Sequence, residues 1–482
     1  MSEQAIKNDE KALTTRAADF NQWYQEIIVV ADLAEHGPSK GSMIIKPYGY
    51  ALWENIQRIL DLKFKEVGVE NAYFPLLIPE SFLNREKEHV EGFAPELAVV
   101  TEAGGKKLDE PLVIRPTSET IMYDAYSRWI HSYRDLPLLI NQWANVVRWE
   151  LRPRLFLRST EFLWQEGHTV HETAEEADVF ARKMLEVYKK FLVEYLAITP
   201  VDGEKTATER FAGAAKTYTI EAMMQDGKAL QAGTSHYLAD HFAKVFGVKF
   251  LNRDNQEQYG EQTSWGVSTR LIGGLIMAHS DDKGLVLPPN IAPLKVVIIP
   301  IGKDEEKEVV LENAEKISAE LIASGLTVKI DKTEGRPGQK FFLWEAKGVP
   351  VRLEIGPKDM ANKSVVAVRR DTGEKTVLQQ SKLVVALPKL LSEIQNNLLN
   401  VYNARLTENT VRVDSWEEFK TAIENNKFVM AHWDGTAETE ATIKEQTNAT
   451  IRCLPFNEAP EVGECVFSGK PSKSRVLFAK AY

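Results

Sequence analysis

Apolar positions recur along the chain with two periods, and the changes between them mark its elements. Between Thr14 and Ala34, the pattern Phe20-x-x-Trp23-Tyr24-x-x-Ile27-Ile28 predicts one amphipathic helix. Leu52, Ile56, Ile59, Leu60, Leu62, Phe64 and Val67 repeat at helical spacing, Gly68 ends that helix, and Tyr73-Phe74-Pro75 begins an extended run. Leu112 to Tyr126 reads as a strand and then a helix opening at Pro116-Thr117-Ser118-Glu119. Arg148 to His168, RWELRPRLFLRSTEFLWQEGH, reads as a hairpin whose ends are rich in Trp, Phe and Leu and whose middle, with Arg152, Pro153, Arg154 and Arg158, is a basic loop. Ala174 to Tyr195 is an amphipathic helix, and Gln231 to His236 reads as a glycine-containing turn before another. Ser264 onward gives a strand with Gly266, then Arg270 opening the apolar helix Leu271 to Ala278.

The style changes at Pro293. Strand, helix, strand, helix and two further strands follow, up to a helix over Pro388 to Leu406, an alternation that predicts a small α/β domain with a mixed sheet. A short mixed segment, Trp416 to Tyr482, closes the chain. At 482 residues the length suggests about three domains, and we divide it into 1–290, 291–406 and 407–482.

Composition narrows the classes. An apolar share of 44% and a charged share of 27% suit a globular protein rather than a disordered one. The opening MSEQAIKNDEKALTTRAADF lacks the apolar core of a signal peptide, and no apolar run approaches the roughly 20 residues of a membrane span. Cys453 and Cys465 make no disulfide framework, so the expected compartment is the cytoplasm, with no membrane partner. A net charge of −10 argues against indiscriminate coating of nucleic acid. Local basic surfaces remain: the hairpin loop, and Lys329 to Lys375, where eleven Lys or Arg face seven Asp or Glu.

Several residues carry candidate chemistry. Arg148 and Glu150 stand two apart, so on an extended strand they share a face, where the planar guanidinium suits phosphate and the carboxylate suits an amine. Phe162 is placed to lie against a base; the alternative is an amphipathic hairpin with solvated arginines. Thr117 and Glu119 offer a hydroxyl and a carboxylate to a substrate amine, or only a helix cap. His236 is either structural or faces a cleft, and Arg270 at the head of a buried apolar helix needs an anionic partner.

Taken in order, these stretches resemble the three motifs of the class II aminoacyl-tRNA synthetases: a long helix and a strand with Pro75, then Arg148-x-Glu150 with its basic loop and Phe162, then Gly266 and Arg270. With RPTSE, WQEGH, GTSH and VLPPN in one order, nearly the whole chain is similar to the prolyl-tRNA synthetases of the archaeal and eukaryotic type. The resemblance implies an α/β (α+β) protein with an antiparallel-sheet catalytic domain, a mixed-sheet anticodon-binding domain and a small α/β C-terminal domain of the zinc-binding type. It implies L-proline, ATP with Mg2+ and tRNA(Pro) as partners, and a homodimer formed through the motif 1 region. Thr117, Glu119, Trp164 and His236, with Arg148, would hold proline. Arg148, Glu150, Arg158, Ser159, Phe162, Gln231, Thr234, Ser268, Thr269 and Arg270 would hold ATP, with Arg148 and Arg270 catalytic. Glu345 and Arg352 are candidates for reading the anticodon.

Two expectations are negative. Bacterial-type relatives carry an editing insertion between motifs 2 and 3, but here His168 to Ser264, roughly ninety residues, leaves too little room for one. The relatives' Cys-x4-Cys and Cys-x2-Cys zinc pattern falls on Asp434, Thr439, Cys465 and Ser468, so no structural zinc is expected, a site with His432 being incomplete. Trp416, Phe419, Phe428, Leu454, Val476 and Phe478 must then hold the last domain by packing, with Tyr482 docked near the catalytic one. The rival readings are a catalytically silent synthetase-like tRNA-binding protein, and a synthetase for threonine or glycine.

Overall fold

In the computed structural model the described residues are 13–83, 85, 97–150, 152–303 and 305–482. Most of the signal-peptide reading (residues 1–12) and Leu151 of the hairpin lie outside them.

The first domain begins with helices α1 (Phe20–Val30) and α2 (Pro47–Lys65). The Asp19 carboxylate caps α1 by accepting from the N–H of Asn21 and of Gln22, so the helix starts with its apolar pattern at Phe20 rather than at Thr14. Gly68, at φ +86°, turns the chain after α2 into the short strand β1 (Glu70–Asn71). Then come β2 (Lys106–Ile114), α3 (Glu119–Trp129), the long hairpin β3 (Leu138–Val147) and β4 (Glu161–His171), and α4 (Ala174–Leu196). Strands β5 (Val201–Glu204), β6 (Lys216–Met223), β7 (Ala229–Ala239) and β8 (Glu261–Ser268) follow, with α5 (Arg270–His279) after them. The strands from β3 to β8 form one antiparallel surface in the order β5-β6-β7-β8-β4-β3, and β1 pairs parallel at its edge.

The two faces of that surface divide the work. Helix α4, capped by Thr173, lays Phe180, Met184, Tyr188 and Phe191 on one face, each such buried side chain stabilising by about 2 kcal/mol. Ser235 Oγ on that face donates to the Ala181 carbonyl (2.7 Å). Alternation therefore points Thr234 and His236 to the opposite face.

The second domain contains β9 (Val296–Pro300), α6 (Lys307–Ala323), β10 (Val328–Ile330), α7 (Pro337–Ala346), β11 (Val351–Ile355), β12 (Ser364–Arg369), β13 (Lys375–Gln379) and α8 (Leu383–Asn409). Its sheet runs β10-β9-β11-β12-β13, parallel across the first three strands and antiparallel across the rest, the mixed sheet expected. Helix α8 starts earlier than expected because Pro388 lies inside its first turns rather than opening it.

The last segment holds β14 (Thr410–Arg412), α9 (Trp416–Glu424), β15 (Phe428–His432), α10 (Ala437–Thr447), β16 (Thr450–Pro455) and β17 (Arg475–Ala479). Its sheet does not stand alone. Strand β16 pairs antiparallel with β5, so among the described residues one sheet of eleven strands runs from β14 to β1. Gly203 makes the joint possible, since a Cβ there would lie 2.3 Å from the Leu454 carbonyl oxygen. Of the residues expected to hold this segment, Phe419, Val476 and Phe478 form its core, and Trp416 and Leu454 flank it. Phe428 packs instead with Met223, Ala229 and Cys453, in the seam with the first domain. Tyr482 docks there too: its N–H donates to the Ala229 carbonyl (3.1 Å) and its hydroxyl to Asp226 (2.7 Å).

Candidate active site

Four neighbouring strands present one row of side chains on the face that α4 leaves open. Thr217 of β6 stands opposite His236 of β7, His236 opposite Ser264 of β8, and Ser264 opposite His168 of β4. A second row runs Thr219, Thr234, Gly266, Glu166 and Gln142. Above these rows opens a cavity of about 340 Å³, lined among others by Thr117, Glu119, Arg148, Phe162, Trp164, Gln231, Thr234, His236, Ser268 and Arg270.

The turn from β2 into α3 delivers Thr117 and Glu119. Arg115, almost fully buried, fastens it by donating to the carbonyls of Phe74 (2.7 Å) and Asn145 (2.8 Å). Ser118 occupies the cap position of α3 but makes no capping bond. Its N–H (3.2 Å) and hydroxyl donate to Glu166 instead, and Thr117 Oγ1 donates to Glu119. Both carboxylates are buried, which turns the helix start into a polar wall rather than a mere cap.

Gln231, Thr234 and His236 lie on a central strand, not in the turn expected. Their spacing hides this: 231 and 234 differ by an odd number and should face opposite ways. A bulge pairs Gln231 with Glu221 and Gly233 with Ile220, shifting the phase so that both side chains reach the cavity. Gly233 is required there, because a Cβ would lie 2.9 Å from Val267 and 3.2 Å from Tyr188. His236 Nδ1 is bonded to Thr217 Oγ1 (3.0 Å), and its ring lies 4.6 Å from that of Phe211. Burial pushes its pKa down to about 4, so it is neutral at pH 7. Burial also depresses His168, but the bond to Glu166 (3.2 Å) and the Glu119 charge outweigh it and the net shift is upward.

The cations come from two ends. Arg148 Nε donates to the Pro116 carbonyl (3.0 Å), and its guanidinium lies 5.6 Å from the Phe162 ring centre and 5.3 Å from that of Trp164. Arg270 opens α5 and donates to the Leu157 carbonyl (3.3 Å). Burial, then Arg158 and Arg148, lower its pKa to about 10, which leaves it charged at neutral pH. Arg270 also borders a second cavity, of about 250 Å³, with Arg152, Arg154, Arg158, Lys228 and Tyr482. So Arg158 lies in the adjoining basic cavity rather than the main one.

Three expected ATP residues line neither cavity. Strand β3 ends at Val147, so Arg148 and Glu150 do not share a strand face. The Glu150 carboxylate turns back to accept from the Arg152 N–H (2.9 Å), which an extended strand would not permit. Ser159 and Thr269 are buried, and their hydroxyls meet no hydrogen-bond partner among the described residues. Sequence reading passed over Glu166, His168 and Phe211, all of which line the main cavity. Strand alternation carries the signal for two of them, since Trp164, Glu166 and His168 are each two apart on β4.

Glu345 and Arg352 meet across a shallow cleft of the second domain with Trp344, Arg369 and Arg370. Arg352 donates to Glu354 (2.9 and 3.1 Å) and lies over the Phe341 ring at 4.3 Å, and Lys283 lies 3.5 Å from Glu345. In the last domain, Asp434 accepts from the hydroxyls of Thr436 (2.8 Å), Thr439 (2.8 Å) and Ser468 (2.7 Å). Three of the four zinc-pattern positions thus meet as a carboxylate with two hydroxyls, and Cys465 is the one sulfur. That donor set does not fit a thiolate zinc site.

Comparison with known families now bears on this geometry. A family model for the tRNA synthetase class II core domain (G, H, P, S and T) matches residues 101–279, one for an anticodon binding domain matches 295–390, and one for the C-terminal part of prolyl-tRNA synthetase matches 416–482. The chain is 55% identical over 489 residues to a proline–tRNA ligase of Amoebophilus asiaticus, covering 98% of this chain and 100% of the relative. It is 54% identical to those of Porphyromonas gingivalis, over 488 residues, and Chlorobium chlorochromatii, over 479, covering 98% of this chain and 99% of each relative. These organisms are bacteria, so the comparisons do not support the archaeal and eukaryotic type that the resemblance implied. With such similarity over almost the full length of both chains, and a class II core model spanning the cavity, the chain belongs to the proline–tRNA ligase family of class II aminoacyl-tRNA synthetases.

Proposed function

We propose that this protein is a proline–tRNA ligase that activates L-proline with MgATP and transfers the prolyl group to the 3′ end of tRNA(Pro). The proline carboxylate attacks the α-phosphorus and pyrophosphate leaves. A ribose hydroxyl of the tRNA then attacks the adenylate carbonyl, the carbonyl–phosphate anhydride bond breaks, and AMP and the hydroxyl proton leave. Neither step needs a protein nucleophile; both need positioning and neutralised charge. The observation that carries this reading is the one cavity in which the buried Thr117–Glu119 pair faces Arg148 and Arg270.

In this reading Thr117 and Glu119 hold the imino group, with His236 and Trp164 closing the ring's pocket. His236, neutral there, adds no positive charge to the imino-group pocket. Arg148 and Arg270 neutralise the phosphates, with Phe162, Gln231, Thr234 and Ser268 around the nucleotide and Arg158 toward its outer end. Glu150, Ser159 and Thr269 belong to the proposed ATP site on the resemblance alone, since none of them lines either cavity. Glu345 and Arg352 read the anticodon. The division at 290 and 406 is part of the proposal, as is a homodimer through the motif 1 region, supported by exposed Leu62 and Tyr73. The cytoplasm is its proposed compartment; among the described residues no helix is long and apolar enough to cross a membrane. The proposal includes the lack of an editing domain between motifs 2 and 3, supported by residues 168–264, which build the central sheet and α4 rather than an inserted module.

Pyrophosphate exchange measured separately with proline, alanine, threonine and glycine tests this. Strong exchange with proline and little with threonine or glycine is expected; exchange with none of them would favour the silent tRNA-binding alternative.

A further inference from the structure

The segment joining β5 to β6, residues 205–215, forms one wall of the main cavity through Glu209, Arg210 and Phe211. Its two ends are tied to the catalytic sheet. Lys205 N–H donates to the Thr217 carbonyl (2.8 Å), and its ammonium lies 2.8 Å from Glu221, which Arg452 of the C-terminal domain also meets at 2.9 Å. At the other end the Phe211 N–H donates to Thr217 Oγ1 (3.0 Å), the same hydroxyl that is bonded to His236.

The middle of the segment is held from elsewhere. Thr206 Oγ1 donates to Glu440 Oε1 (2.9 Å), and Thr208 Oγ1 donates to Glu440 Oε2. The two hydroxyls are 3.0 Å apart, so one carboxylate spans both. Glu440 is on α10 of the C-terminal domain and buried, and one turn later Lys444 lies 3.4 Å from Glu209. A buried carboxylate left without donors is costly, so this clamp favours one placement of the segment.

We propose that Glu440 is a positioning residue for the amino-acid end of the cavity: through Thr206 and Thr208 it sets the 205–211 wall, and with it the Phe211 ring against His236. The C-terminal domain thereby contributes to substrate binding without touching the substrate. This rests on the reading of the cavity as the proline site. The burial of Glu440 raises its pKa and the two threonine hydroxyls oppose the rise, in keeping with a carboxylate enclosed by donors.

Steady-state pyrophosphate exchange by the full chain tests it, with KM for proline and for ATP measured separately. Folded E440A should show a KM for proline raised about tenfold, with the KM for ATP changed less than about twofold, since a small misplacement of one wall weakens only the ligand it touches. E440Q should recover most of the loss, because its amide still offers an acceptor to one hydroxyl and a donor to the other. T206V/T208V should repeat the effect of E440A and decides by the same criteria should E440A not fold. An unchanged KM for proline, a parallel rise in both KM values, or E440Q as impaired as E440A overturns the proposal. Wild-type protein that exchanges nothing with proline would instead overturn the reading of the site.

Discussion

Ser118 donates its backbone N–H (3.2 Å) and its hydroxyl to Glu166, 48 residues further along the chain. The start of α3 is thereby fixed to the central strand β4, and Thr117 and Glu119 on either side are fixed with it. Gln142 Nε2 (3.0 Å) and His168 (3.2 Å) complete the shell of this buried carboxylate.

Ser118→Ala should therefore destabilise the catalytic domain by about 2 kcal/mol, the size of a hydrogen bond to a charged buried acceptor. A lowered urea midpoint is the expected result. An unchanged midpoint would mean that Glu166 is satisfied without it.

Buried histidines give a pH dependence whose sign is fixed. The folded-state pKa of His236 is about 4 and its ordinary value 6.5, so the unfolded chain binds the extra proton. The resulting stability is fully present above pH 6.5 and is lost as pH falls toward 4, up to about 3 kcal/mol. His171 and His279, also lowered to about 4 by burial, act in the same direction, and His168, whose net shift is upward, opposes them. Stability measured from pH 7 to 4.5 should fall, and less steeply in His236→Gln than in wild type. Identical slopes would contradict a neutral His236.

Much of this was legible from local pattern. The helices, the mixed sheet of the second domain and the Thr117–Glu119 pair follow from periodicity and turn chemistry. What stayed hidden was non-local. Gln231 to His236 reads as a turn because Gly233 and the odd spacing of Gln231 and Thr234 mimic one, and only pairing with β6 shows the bulge. The union of β16 with β5 joins residues some 250 apart, which no local pattern records. Glu150 matched a motif by spacing, but its carboxylate serves the loop's own backbone.

Arg352→Ala should raise the apparent KM for tRNA(Pro) several-fold and spare adenylate formation, because Arg352 lies in the second domain, outside both cavities beside the central sheet. Glu354 would keep Lys375 as a partner at 3.4 Å, so the domain should remain folded. Comparison of aminoacylation with pyrophosphate exchange checks this; a parallel fall in both would show that Arg352 serves the fold instead.

The C-terminal domain should bind no zinc. Burial acts to raise the Asp434 pKa, but bonds from Ser468, Thr439 and Thr436 outweigh it and hold the carboxyl down to about 2, an arrangement complete without a metal. Elemental analysis of protein purified without chelators should find far less than one zinc per chain; about one per chain would mean that other ligands gather there.

The central claim is that the cavity beneath Arg148 activates proline, and proline-dependent pyrophosphate exchange by Arg148→Ala tests it most directly. The Arg148 guanidinium contacts the Pro116 carbonyl and two aromatic rings, and the urea midpoint of the variant checks that it folds. Its exchange should fall by at least about a hundredfold, the loss typical of one preorganised charge at a reacting centre. Near-normal exchange by the folded variant would contradict the assignment.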